Sequence, residues 1–162
     1  MNIKIVGLIA SLLMTSMALA QSSAPKPAAA GASRVAFVAF RVANLPASLD
    51  FYTKVLGMSE QRRIPLDNGV VEVLLGYGDL TSEAGVMLMH DSKRTRPYQL
   101  GDGYSRYIAY VPDVKQVAAK LKTAGAQITR GPERIDSLRI TILLAKDPDG
   151  YLIEFVQQDP AS

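Results

Sequence analysis

The sequence predicts an α+β domain built from two copies of a βαβββ unit. Three observations predict it. A strand-like quartet occurs twice, as Phe37-Val38-Ala39-Phe40 and Tyr107-Ile108-Ala109-Tyr110. Each quartet is followed by a helix with a cap and a glycine stop. Each helix is followed by strand-like runs separated by turn signals.

The quartets hold aromatic and β-branched residues, which suit a pleated, half-buried surface. Asn44 and Asp113 follow them as N-caps; their short side chains accept from the free N–H groups of a first helical turn. The first helix is expected over 45–56, with Leu45, Leu49, Tyr52 and Leu56 on one face, Pro46 in the first turn where a missing N–H is harmless, and Gly57 as the stop. The second helix is expected over 114–124, with Val114, Val117, Ala118 and Leu121 as its apolar face and Gly125 as its stop. Strands are expected over 59–65, 70–77 and 84–89 in the first half. In the second half they are expected over 127–129, 138–146 and 151–157. Asp67-Asn68-Gly69 and Asp147-Pro148-Asp149-Gly150 supply the turn chemistry between strands.

The first 33 residues differ in character. Met1 to Lys4 make a short positive start, Ile5 to Ala20 carry no charge, and Ala18-Leu19-Ala20 places small residues where a signal peptidase reads them. Residues 1–20 are read as a secretory signal peptide. The apolar run is shorter than the roughly 20 residues of a bilayer span, so no stable membrane anchor is expected after cleavage, and the chain is expected to be exported, periplasmic or secreted. Residues 21–33, rich in Ala, Ser and Pro, read as a flexible linker. The domain is expected over 34–158, with the first unit at 34–90 and the second at 104–158.

Composition narrows function. The chain has 162 residues, 48% hydrophobic and 20% charged, with a formal net charge of +3, the balance of an ordinary globular domain. Its basic residues are scattered and not interleaved with stacking aromatics, so nucleic acid is not an expected partner. There is no cysteine and one histidine, His90. Thiol catalysis, disulfides and thiolate metal sites are excluded, as is any scheme that needs two histidines in one chain.

Residues 34–158 resemble the vicinal-oxygen-chelate superfamily, of glyoxalase, bleomycin-resistance and dioxygenase type, and within it bacterial lactoylglutathione lyase (glyoxalase I). The resemblance lies in Arg41-Val42-Ala43-Asn44-Leu45 with Ser48-Leu49-Asp50-Phe51-Tyr52-Thr53-Lys54-Val55-Leu56-Gly57-Met58, and in Asp147-Pro148-Asp149-Gly150-Tyr151-Leu152-Ile153-Glu154. It implies that each unit forms a curved sheet, that two sheets enclose a cleft, and that a second chain often contributes, so a homodimer is expected. In metal-dependent members one ligand comes from the first and one from the last strand of each half, and the ion chelates two substrate oxygens or stabilises an enediolate.

Carried onto this chain, those positions fall on Phe37, Met87, Tyr107 and Glu154, where His or Gln, Glu, His and Glu are usual. Only Glu154 matches. Phenylalanine has no lone pair, a thioether is a soft ligand, and a tyrosine hydroxyl ionises only near pH 10. A one-residue slip in the second half would bring Arg106 or Ile108 to the Tyr107 position, and neither is a ligand. His90 lies three positions after Met87, on the opposite face of a straight strand; only a bulge would turn it inward. No metal and no other cofactor is expected.

Phe37, Met87, Tyr107 and Glu154 are therefore expected to line a cleft for a small organic ligand. Three roles remain open. The first is a metal-independent small-molecule binder. The second is a lyase or isomerase of glyoxalase type, with Glu154 and Tyr107 as the candidate acid–base pair. The third is a structural or partner-binding dimer. The loop from Asp91 to Tyr104 is expected at the cleft mouth, where Lys93, Arg94 and Arg96 could attract an anion.

Overall fold

The computed structural model describes residues 33–94 and 96–160; the signal peptide and most of the linker expected above lie outside the described residues. The elements are β1 (Phe37–Arg41), α1 (Leu45–Asp50, continued by a π-helical turn Phe51–Val55), β2 (Ser59–Pro65), β3 (Val70–Gly76), β4 (Gly85–Asp91), β5 (Tyr107–Tyr110), α2 (Val114–Thr123), β6 (Ile128–Ile135), β7 (Ile140–Lys146) and β8 (Leu152–Gln158).

They form two four-stranded sheets of the same order, β1-β4-β3-β2 and β5-β8-β7-β6. In each, the first strand runs parallel to the last and the remaining pairs are antiparallel. Two identical topologies in one chain are the duplication that the sequence predicts.

The helices start as expected. The Asn44 side chain accepts from Ala47 N, and the Asp113 side chain accepts from Lys115 N and Gln116 N. Both stop at glycines with positive φ, 80° at Gly57 and 68° at Gly125, where a Cβ would be strained. The first helix differs in its last turn: Leu56 N donates to Phe51 O, five residues back, which widens the helix there, and Met58 N donates to Tyr52 O beyond the glycine stop. Strand β6 runs past the expected end at residue 129. Gly131 and Pro132 lie inside it, and the ladder passes them through irregular register between Arg130 and Glu133, as an edge-strand bulge allows.

One face of each sheet and both helices close a shared core. Phe40, Val42, Tyr52, Leu88, Leu121, Leu143, Ile153 and Phe155 all lie within it. The halves are joined by the first helix and the β7–β8 turn. Tyr52 Oη donates to Asp147 Oδ2 at 2.9 Å, Ala43 N donates to Asp149 Oδ1 at 2.7 Å, and Ser48 Oγ donates to Asp149 Oδ2 at 2.8 Å. The turn aspartates thus clamp the helix of the other half. The opposite sheet faces are open: Ala39, Arg41, Ile108 and Tyr110 are exposed.

Candidate functional site: an arginine at a ligand position

The two halves can be superposed residue by residue from their backbone hydrogen bonds. Val42 N donates to Met89 O, and Val111 N donates to Val156 O, both at 2.9 Å. Val42 therefore corresponds to Val111 and Met89 to Val156. Counting back along each strand, Met87 corresponds to Glu154, as expected, but Phe37 corresponds to Arg106. The pairing of Phe37 with Tyr107 is corrected by one residue. The quartets resemble each other because each begins and ends with an aromatic, yet Phe40 is matched in space by Ala109. Both are buried, and strand alternation then fixes the rest.

The correction changes the chemistry. Arg106 Nε donates to Glu154 Oε2 in an ion pair. Glu154 is 9% exposed and is one of three buried polar or charged residues of the described chain. Its open-face neighbours are fixed by register: Ile108 beside it on β5, Leu144 on β7, and Arg130 beyond Leu144 on β6. The first half repeats this row as Ala39, Met87, Leu74 and Arg62. Arg130 is itself bonded to Glu133 at 2.7 and 2.9 Å. Phe37 and Met87 share the open face of the first sheet, and Arg106 and Glu154 hold the matching places on the second.

Tyr107 is not on that face. Its neighbour Ile108 is the register partner of Glu154, so the Tyr107 ring points the other way, into the contact between the halves. There it lies 5.5 Å from the Phe40 ring, and its N–H donates to Tyr104 Oη at 3.1 Å. Its own hydroxyl is buried with no hydrogen-bond partner among the described residues, although Tyr52 is close enough to influence its ionisation. Burial, more than any neighbour, holds it neutral well above the usual tyrosine range. On that side Tyr107 also borders a cavity of 340 Å³ with Val38, Met58, Tyr77 and Val86. The structure thus does not bring the expected acid–base pair, Glu154 and Tyr107, together.

His90 pairs regularly with Val71, with no bulge in β4. It faces away from Met87, and its Nδ1 lies 3.1 Å from Val42 O. Among the described residues no group of three or more His, Cys, Asp or Glu could hold a metal ion. The four corresponding positions hold an apolar ring, a thioether, a guanidinium and one carboxylate. A cation beside the only carboxylate opposes a second cation there, so these residues do not fit a hard divalent ion with oxygen and nitrogen donors.

Among the described residues the carboxylate pushed above its ordinary range is a different one, Asp147. Desolvation raises its pKa to about 6, against the lowering effect of hydrogen bonds from Tyr151 N and the Tyr52 hydroxyl. The sequence gives Asp147 as a turn residue; its aspartate side chain also ties the turn to Tyr52 of the first half.

The paired βαβββ sheets, with matching strand order and open faces carrying the four positions, define a domain of the vicinal-oxygen-chelate class. Residues 34–155 match the Glyoxalase/Bleomycin resistance protein/Dioxygenase superfamily, and the chain belongs to that superfamily. It is 35% identical over 126 residues to a lactoylglutathione lyase of Neisseria meningitidis, covering 77% of this chain and 91% of that one. It is 33% identical over 129 residues to a probable lactoylglutathione lyase of Vibrio cholerae, covering 79% and 93%. Among solved structures, the trypanothione-dependent glyoxalase I of Leishmania major aligns with a TM-score of 0.69 and 28% identity, over 78% of this chain and 88% of that one.

Proposed function

We infer that this chain is an exported glyoxalase-like protein that binds a small organic molecule on the open sheet faces without a metal ion. The observation that carries this reading is the Arg106–Glu154 pair, which fills two places of the family's ligand set with an arginine and its counter-ion. Phe37 and Met87 would supply apolar contact area, and Arg106 and Glu154 the few polar groups that orient a ligand. The open faces are completed by a second copy of the chain. The exposure of Ile108 and Tyr110 along the edge strand β5 supports this, since unpaired edges and apolar patches of this kind are usually covered. Export rests on the composition of residues 1–20.

A second reading is favoured by the relatives: a lyase or isomerase of the lactoylglutathione lyase type, since the chain is 33–35% identical to proteins of that name. Thermal-shift screening of the mature protein separates the two. Stabilisation by small organic ligands, unchanged by chelator or by added divalent ions, supports the binder. Stabilisation that requires nickel, zinc or manganese supports the lyase.

A further inference from the structure

The ion pair on the open face of the second sheet makes one hydrogen bond where its chemistry allows two. Arg106 Nε donates to Glu154 Oε2, and Arg106 Nη1 donates to Ser105 Oγ at 3.3 Å. An arginine fork beside a carboxylate commonly closes with a second, parallel bond from Nη2 to the other oxygen. Among the described residues, Arg106 Nη2 and Glu154 Oε1 make no such bond and no other. The two atoms flank the bond that is made, because Nη2 shares the guanidinium with Nε and Oε1 shares the carboxylate with Oε2. Both side chains reach the surface: Arg106 keeps 42% of its side-chain area exposed and Glu154 keeps 12%. Glu154 Oε1 is not among the enclosed, unpartnered side-chain atoms of the described residues.

The rest of the row leaves these two atoms free. Arg130 directs Nε and Nη2 to Glu133. Ile108 and Leu144, beside Glu154 in register, offer apolar contact and no polar side-chain atom. A free N–H next to a free carboxylate oxygen matches a ligand edge of the opposite order, an acceptor beside a donor. A carboxylate, phosphate, ester or ketone offers acceptors alone and sets an oxygen against Glu154, which disfavours it. A primary amide or a lactam carries C=O and N–H side by side in one plane. We propose that the Arg106–Glu154 pair reads the edge of a primary amide or lactam, with Arg106 Nη2 donating to its carbonyl oxygen and Glu154 Oε1 accepting its N–H. This inference rests on the small-molecule reading above and gives that molecule its chemical class. Sites that hydrogen-bond a ligand N–H reject analogues without it, because the site's own polar group is then left unmatched.

The test is an NMR titration of the mature protein, following the Arg106 Nε–Hε resonance and the backbone amide of Ile108, with benzamide, methyl benzoate and benzoate in turn. The three share a ring and a carbonyl group and differ in what stands beside it: an N–H donor, an ester oxygen or a charged oxygen. Benzamide should saturate both resonances at least about tenfold more tightly than either of the others, the equivalent of one hydrogen bond to a charged group. Arg106→Lys, which keeps the charge and removes Nη2, should weaken benzamide by about the same factor. Equal affinity for the three probes, or tighter binding of benzoate, overturns the amide assignment and leaves a small-molecule site in place. An unchanged benzamide isotherm in folded Arg106→Lys also overturns it. So does saturation by none of the three; the broader small-molecule reading falls as well only if the thermal-shift screen finds no ligand of any class.

Discussion

The guanidinium of Arg106 donates to the carboxylate of Glu154 across the parallel pair β5–β8, from the place that Phe37 occupies in the other half. An aromatic side chain and an arginine thus hold equivalent positions in a duplicated fold. Only the arginine has a carboxylate to meet, because Met87 stands where Glu154 would be.

Glu154 is the more enclosed member, with 12% of its side chain exposed against 42% for Arg106. Removing Arg106 leaves a nearly buried carboxylate unpaired, while removing Glu154 leaves a cation that can turn to water. Arg106→Met should therefore destabilise the domain more than Glu154→Gln, by about 1–2 kcal/mol after discounting for the exposed partner. Arg106→Met with Glu154→Leu should recover most of the loss. Urea denaturation of the four proteins checks this; equal losses in the two single variants would show that the unequal burial of the partners does not set the cost.

Asp147 gives the pH dependence. Its folded pKa is raised to about 6 by desolvation, above an unfolded value near 3.9. Such a group contributes its stability fully below the unfolded pKa, where both states are protonated. The contribution is lost as pH rises through about 4 to 6, because ionisation in the folded state is the harder of the two, and it is flat above. The size is on the order of 2–3 kcal/mol. Asp147→Asn can still accept from Asp149 N and Tyr151 N without a charge to desolvate. The stability difference, wild type minus Asp147→Asn, should fall across that window. A difference that rises with pH would mean that the ionised carboxylate is the stabilised form.

Two buried tyrosines make a contrasting pair. Tyr52 donates to Asp147, so Tyr52→Phe orphans an acceptor and should cost about 1–2 kcal/mol. The Tyr107 hydroxyl has no hydrogen-bond partner among the described residues, so Tyr107→Phe should lie within about 0.5 kcal/mol of wild type and leave ligand binding on the open faces unchanged. Loss of binding in Tyr107→Phe, with stability intact, would return Tyr107 to the functional site.

The duplicated fold was legible because its signals are local: caps at Asn44 and Asp113, glycine stops, and turn-forming aspartates. Strand quartets are less secure, because a period of two leaves register undefined until a neighbouring strand sets it. Matching Phe37-to-Phe40 with Tyr107-to-Tyr110 by appearance placed Tyr107 in the cleft. Counting back from the caps would have placed Arg106 there, since Phe37 stands as far before Asn44 as Arg106 before Asp113. Met87 and Glu154 were matched to each other through the family resemblance, which puts each on the last strand of its half, and the register pairs them so. The Tyr52–Asp147 contact spans the two halves and leaves no local trace.

Export predicts cleavage after Ala20. Mass spectrometry of the protein from the cell envelope should give a mature chain beginning at Gln21. An intact Met1 in the membrane fraction would instead mean an anchored protein.

The central claim is that the open faces work without a metal ion, and the most direct measurement is elemental analysis of the mature protein after dialysis against nickel, zinc, cobalt or manganese, with lyase activity assayed on the glutathione hemithioacetal of methylglyoxal. Losing one ligand partner typically costs about 10- to 100-fold in metal affinity or activity, and three of the four positions lack a suitable donor. A symmetric second chain supplies the same residue types and does not restore the set. The account predicts substoichiometric metal and no turnover with any of the four ions. Near-stoichiometric metal accompanied by turnover would contradict it.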